Sequence, residues 1–232
     1  MKEEAVAEPT LGKRILRGFL SVVLFAALLF VPAGRWDWVA GWAFLIFALS
    51  SITILSLVLW RRDPELIKER TRVAENVESW DRMILRIYGV LSISLFVVAG
   101  LDAGRFLWSS IPLSFRVLSW IVLIGASAIV WWALFTNTFT SRMVRIQEDR
   151  GHRVVTKGPY QFVRHPMYVG VILAVLSIPL VLGSWWALIP GVGIMVLFIV
   201  RTALEDQTLQ AKLSGYSEYT KSVRYRLVPG IW

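Results

Sequence analysis

The sequence holds no cysteine and only two histidines, His152 and His165, among 232 residues. The first absence excludes a disulfide scaffold, a thiolate zinc centre and a cysteine nucleophile together. The second, with no spaced carboxylate framework beside either histidine, leaves no metal site to read. Negative charge is scarce as well: 16 Asp and Glu stand against 25 Lys and Arg, for a net charge of +9. Such a balance can mark a nucleic-acid partner, but the basic residues here are not gathered on one polar domain. They fall between apolar stretches, which argues against nucleic acid and for a membrane. Repeats, low-complexity tracts and linkers are missing too, so one structural domain is expected.

What the chain has is apolar surface. Hydrophobic residues make up 56% of it and its mean hydropathy is +0.60, too apolar for a soluble domain of this size. Twelve tryptophans suit a membrane–water boundary. Six segments approach the roughly 20 residues that cross a bilayer core of about 30 Å: 16–33, 36–60, 83–100, 113–136, 168–182 and 185–204. The expected fold is therefore all-α, a polytopic bundle of six transmembrane helices ending in a tight hairpin. Residues 1–136 carry the first four, and 137–232 the last two with a C-terminal tail. Pro179 in the fifth and Pro190, Gly191 and Gly193 in the sixth predict kinks.

Basic residues predict the orientation. Lys2, Lys13, Arg14 and Arg17 precede the first span; Arg61, Arg62, Lys68, Arg70, Arg72 and Arg82 follow the second. Arg142, Arg145, Arg150, Arg153, Lys157 and Arg164 join the fourth to the fifth, and Lys212, Lys221, Arg224 and Arg226 end the chain. Only Arg35 and Arg105 fall on the opposite side. The positive-inside rule puts both termini in the cytosol. Val31-Pro32-Ala33 loosely resembles a signal-peptide cleavage site, but the apolar run before it is longer than a usual signal core, so an uncleaved first helix is expected.

The stretch "GPYQFVRHPMYVGVILAVL" (158–176) sets Arg164, His165, Tyr160 and Tyr168 against the start of the fifth span. With Gly183 and Ser184 alone between the last two spans, about 22 Å of helix leads from Tyr168 to the turn and about 27 Å back to Arg201. The cluster therefore meets "RTALEDQTL", in which Arg201 and Glu205 share a helical face. Each residue also has a structural reading. The arginines could be snorkelling lipid anchors, Glu205 an ion-pair partner of Arg201, His165-Pro166 a helix start, and the tyrosines belt aromatics. Convergence from separate segments at a membrane boundary favours a functional site.

"RHPMYVG" (164–170), a hydrophobic hairpin and "ED" (Glu205-Asp206) together resemble the signature of the isoprenylcysteine carboxyl methyltransferase family. "NTFT" (137–140), "HRVVTKGPY" (152–160) and "GYSEYTKSVRYRLVPGIW" (215–232) resemble it too, so the likeness covers about residues 136–232. It implies S-adenosylmethionine as methyl donor, held by Gln147, His152, Arg153, Val154, Val155, Tyr160, His165, Pro166, Met167, Tyr168 and Glu205. It implies Arg201 at the substrate, with Arg164 and Glu205 joining it as catalytic residues. Asp206 departs from the commoner Glu-Glu pair but keeps the charge. The soluble dinucleotide fingerprint is absent: "GVG" (191–193) lies in an apolar helix and Val196 fills the third glycine position.

The implied reaction is methylation of the carboxylate of an isoprenylated cysteine or similar amphiphilic acid. The implied partners are a lipid-like or prenylated substrate and membrane lipids, with a cytosol-facing site. A short chain without long loops suits a prokaryotic plasma membrane, or the endoplasmic reticulum in a eukaryote. A carboxylate is ionised at neutral pH and needs no base, and an arginine fork suits it. A phospholipid amine or a small thiol is the alternative acceptor, though each would need a proton acceptor. A transporter is a further reading, opposed by the lack of mid-helix charges and paired broken helices.

Overall fold

Long runs of leucine, isoleucine, valine and phenylalanine leave this chain no way to satisfy its backbone in a bilayer except helix. The computed structural model describes residues 11–71 and 77–232, apart from the side chains at positions 11, 13–15, 17 and 71. Lys2 and Arg72 lie outside the described residues, as do the side chains of Lys13, Arg14 and Arg17.

Eight α-helices follow in order among those residues: α1 (Leu11–Ala33), α2 (Val39–Arg62), α3 (Pro64–Thr71), α4 (Ser79–Ala99), α5 (Leu113–Thr136), α6 (Pro166–Leu182), α7 (Leu188–Lys212) and α8 (Tyr216–Ser222). No strand occurs among them. Four helices are long and apolar enough to cross a membrane: α2, α4 with its extension to Phe106, α5 and α7. The apolar part of α1 (Gly18–Ala33) and α6 are shorter apolar helices.

The fourth expected span, 113–136, is α5 residue for residue. Others differ for physical reasons. The third runs on to Phe106 as a π-helix over Gly100–Phe106, because fully buried Asp102 in that stretch has partners to reach. Asp102 accepts hydrogen bonds from the Ser109 amide (2.8 Å), the Ser109 hydroxyl (2.6 Å) and the Ser184 hydroxyl (2.5 Å), clasping α4 to the α6–α7 connection. That connection is longer than expected. Trp185–Ala187 stay outside α7, whose first turn starts at Leu188, so Pro190 sits where no helical amide is needed. At its other end α7 continues past the expected Leu204 to Lys212, carrying Glu205 and Asp206 on regular helix.

In lipid, apolar burial contributes little to helix association, so close approach decides it. The Gly170 of the "RHPMYVG" stretch is such a place. A β-carbon there would lie 2.6 Å from Val130 Cγ2 and 2.7 Å from the Ala126 carbonyl oxygen, so only glycine lets α6 seat on α5. At the α6 C-terminus Gly183 takes φ +93°, a left-handed cap closed by its amide onto the Pro179 and Leu180 carbonyls. Phe30, Phe44, Leu123, Val181 and Leu182 are buried where α1, α2, α4, α5 and α6 meet. Tyr168, Val175, Ile194 and Phe198 form a second cluster between α6 and α7. That cluster ends where the polar residues begin.

Candidate functional site

After α5 the chain does not leave the bundle end but folds across it. Residues 137–165 run through two short 3₁₀ turns, Glu148–Arg150 and Gly158–Gln161, before Pro166 starts α6 with its fixed φ in the first turn. The tail returns beside them: the Arg164 amide donates to the Tyr225 carbonyl (2.9 Å) and the His165 amide to that of Arg226 (3.0 Å). The tail then closes on itself, with the Arg226, Leu227 and Val228 amides all directed at the Trp232 carbonyl.

A cavity of about 790 Å³, open mouth included, lies between this loop, the α6 start, α7 and α8. The structure brings His152, Arg153, Val154, Val155, Tyr160, Arg164, His165, Pro166, Met167, Tyr168, Arg201 and Glu205 to its wall. Gln147 is not among them. Fully buried, it instead supports the loop: its amide nitrogen donates to the Phe139 carbonyl (2.5 Å), and its amide oxygen accepts from Arg150 (2.6 Å).

The two neighbouring acids divide their surroundings because adjacent helical residues point about 100° apart. Glu205 faces the cavity and accepts the Tyr168 hydroxyl. Asp206 faces inward, fully buried, and accepts Arg164 Nε (2.8 Å) and Nη2 (3.0 Å), Arg226 Nε, the Tyr216 hydroxyl and the Gln210 amide (each 2.9 Å). Arg164 also donates through Nη1 to the Val223 and Arg224 carbonyls, both at 2.8 Å. Each of its three guanidinium nitrogens has a partner, and the residue also borders the cavity. It anchors the tail to α7.

Arg201 meets the cavity one turn before Glu205 on the same α7 stripe. Its partner is not Glu205. Asp81, fully buried in the first turn of α4, takes Arg201 Nε (2.8 Å) and Nη2 (3.2 Å), and its Oδ2 also accepts the Val144 amide (2.8 Å). Arg201 Nη2 further donates to the Arg142 carbonyl (2.8 Å). Among the described residues Nη1 has no hydrogen-bond partner. Asp81 could not be found from sequence, since 120 positions separate it from Arg201 and no motif surrounds it. Arg145 was likewise missed as a wall residue; buried Glu69 on α3 holds it through two contacts of 2.9 Å.

The aromatic side of the wall is uncharged. His152 stacks on Phe139 with ring centroids 4.9 Å apart, and its Nδ1 accepts the Gln147 amide. Burial first, then the positive charges of Arg145 and Arg150, lower its pKa to about 4. Burial raises the Tyr160 and Tyr219 pKa values, so both stay neutral phenols. Tyr219 and Tyr216, from the tail helix α8, complete the wall, and the Tyr219 hydroxyl donates to the Tyr160 carbonyl (2.6 Å).

Residues 118–211, from within α5 to the penultimate residue of α7, match the model of the isoprenylcysteine carboxyl methyltransferase (ICMT) family. Most of the cavity wall lies inside the ICMT match; Tyr216, Tyr219 and the Asp81 that holds Arg201 lie outside it. The Bacillus subtilis (strain 168) protein YpbQ, described as uncharacterized, is 28% identical over 127 residues, covering 52% of this chain and 72% of that protein. The ICMT match covers less than half of the chain, and four helices are long and apolar enough to cross a membrane.

Proposed function

We propose that this chain transfers a methyl group from S-adenosylmethionine to the carboxylate of an isoprenylated cysteine or a similar amphiphilic acid. The observation that carries the reading is the α7 stripe on which Arg201 and Glu205, one turn apart, face the same cavity with opposite charges. A cationic donor and an anionic acceptor require that pairing.

The wall suits such a donor. Phe139, His152, Val154, Val155, Leu209 and Leu213 give an aromatic and aliphatic slot for an adenine, and Glu205 gives an acceptor for an ammonium or ribose hydroxyl. His152, Arg153, Val154, Val155, Tyr160, His165, Pro166, Met167, Tyr168 and Glu205 would hold it. When bound, S-adenosylmethionine supplies an electrophilic methyl group on a sulfonium sulfur. Arg201, fixed by Asp81, keeps Nη1 for one acceptor carboxylate oxygen. The carboxylate, with a pKa of about 3.5, arrives ionised, so no residue has to take a proton. The protein's part is alignment in a water-poor cavity, a contribution that can reach several kcal/mol of the barrier.

We read the six apolar helices as six crossings, with the cavity and both termini on the cytosolic side of a prokaryotic plasma membrane. The described Arg61, Arg62, Lys68, Arg142 and Arg224 support that orientation. A lipid-like acceptor would then reach the cavity from the bilayer and a soluble donor from the cytosol. The test is transfer of labelled methyl from S-adenosylmethionine to a farnesylcysteine acid, to phosphatidylethanolamine and to a small thiol. Label on the acid is expected. An unlabelled acid beside a labelled amine or thiol would overturn the reading.

A further inference from the structure

The tail ends in a turn that methyl transfer does not use. After Arg226 the chain runs Leu227, Val228, Pro229, Gly230, Ile231 and Trp232. Leu227 is buried in the cluster with Tyr168, Val175, Ile194 and Phe198, and Trp232 packs against the same cluster. Ile194 and Phe198 belong to α7, a helix long and apolar enough to cross a membrane. The turn thus rests on the apolar part of the bundle. Its outer side shows no polar side chain: Val228, Pro229, Gly230 and Ile231 are all exposed, Ile231 at 80%. The backbone is closed on itself as well. The Arg226, Leu227 and Val228 amides donate to the Trp232 carbonyl at 2.9, 3.1 and 3.3 Å, and the Ile231 and Trp232 amides to the Val228 carbonyl, both at 3.1 Å. Pro229 brings no amide. In water a loop's donors can bond solvent, whereas in lipid they must find partners within the protein.

We propose that residues 227–232 form a hook set into the lipid leaflet nearest the cavity, with Val228, Pro229 and Ile231 below the headgroups. The flanking residues fit that depth. Exposed Arg224 and Tyr225 come just before the turn and are of the basic and aromatic types found at the membrane–water boundary. The charge of Arg226 is turned away from the tip, since its Nε donates to Asp206 and its guanidinium lies over the Trp232 ring, 5.0 Å from the centroid. Lipid suits the tip better than a second copy of the chain does. A stable protein interface takes about 800 Å² from each partner, and a bend with a few small side chains offers far less. Lipid needs no matching surface, and α7, on which the turn packs, already presents exposed Val192, Val196 and Val200. The inference does not depend on which molecule accepts the methyl group.

The chain holds no cysteine, so a single introduced cysteine can be labelled without background. The experiment places a fluorophore on Ile231→Cys and, as the aqueous reference, on Lys221→Cys of α8, in the full chain held in lipid nanodiscs whose two faces both meet solvent. A phospholipid carrying a nitroxide near its headgroup quenches from within the bilayer, and iodide quenches from water. The Ile231 label should be quenched by the nitroxide lipid and several-fold less by iodide than the Lys221 label, which should show the opposite order. An Ile231 label that iodide reaches as readily as the Lys221 label would overturn the inference. So would a label shielded from both quenchers, which would put the turn against protein, a second copy included. Val228→Cys, on the other side of the bend, takes the same reading if the Ile231 label lowers the unfolding midpoint.

Discussion

Arg164 and Asp206, 42 positions apart, meet in a two-pronged ion pair at 2.8 and 3.0 Å inside the protein, Asp206 fully buried. The pair fastens three pieces of chain, namely the α6 start, α7 and the returning tail. Two charges removed from water are stabilising only when their remaining polar atoms find partners, and here each Arg164 nitrogen has one.

Removing one member should therefore cost more than the pair contributes. Asp206→Asn leaves Arg164 and Arg226 facing a neutral amide and should destabilise the protein by about 3–5 kcal/mol. Thermal unfolding in detergent would register this as a lower midpoint. A midpoint unchanged from wild type would mean that the tail is held by something else.

Arg201 and Asp81 should act as one unit. Arg201→Gln and Asp81→Asn should each lower turnover per unit of acceptor by about tenfold or more, and the double variant should be no worse than the more damaged single one. A double-mutant cycle on acceptor kcat/KM checks this, and additive losses would contradict it.

Glu205→Gln should weaken S-adenosylhomocysteine binding by about tenfold while leaving the unfolding midpoint nearly unchanged, since Glu205 faces the cavity and Asp206 carries the framework. Calorimetry reads the first quantity. Equal affinity in the two proteins would take Glu205 out of the donor site.

Gly170→Ala tests the α5–α6 seat. Its new methyl would meet the Ala126 backbone, which cannot rotate away, so a loss of about 1–3 kcal/mol is expected. A variant as stable as wild type would show that α6 can slide.

His152 gives the protein a pH dependence of known sign. Its pKa falls from an ordinary 6.5 to about 4 on folding, so between these values the unfolded chain holds the extra proton. This contribution is complete above pH 6.5 and is lost as pH falls through 4. The unfolding midpoint of wild type should drop more steeply across that window than that of His152→Phe. Parallel curves would contradict the assignment.

Where the sequence was readable, one physical signal sufficed. The run 113–136 is apolar but for Arg116 and a few small hydroxyl residues, and it gave α5 to the residue. The end of α7 misled because "EDQTLQAK" is polar: once a helix leaves the lipid, hydropathy no longer reports it. Arg164 and Arg201 looked alike in sequence, and only their partners separate an anchor from a residue with a donor to spare. Asp81 comes from a part of the chain with no motif, and its nearness to the cavity is a matter of packing.

The tail fastening also ties distant parts of the chain to one another. The Val223 and Arg224 carbonyls hold Arg164, and Arg226 shares Asp206. Detaching residues 223–226 would leave Arg164 and Asp206 short of partners, and because Arg164 borders the cavity, damage at the tail would be felt at the wall.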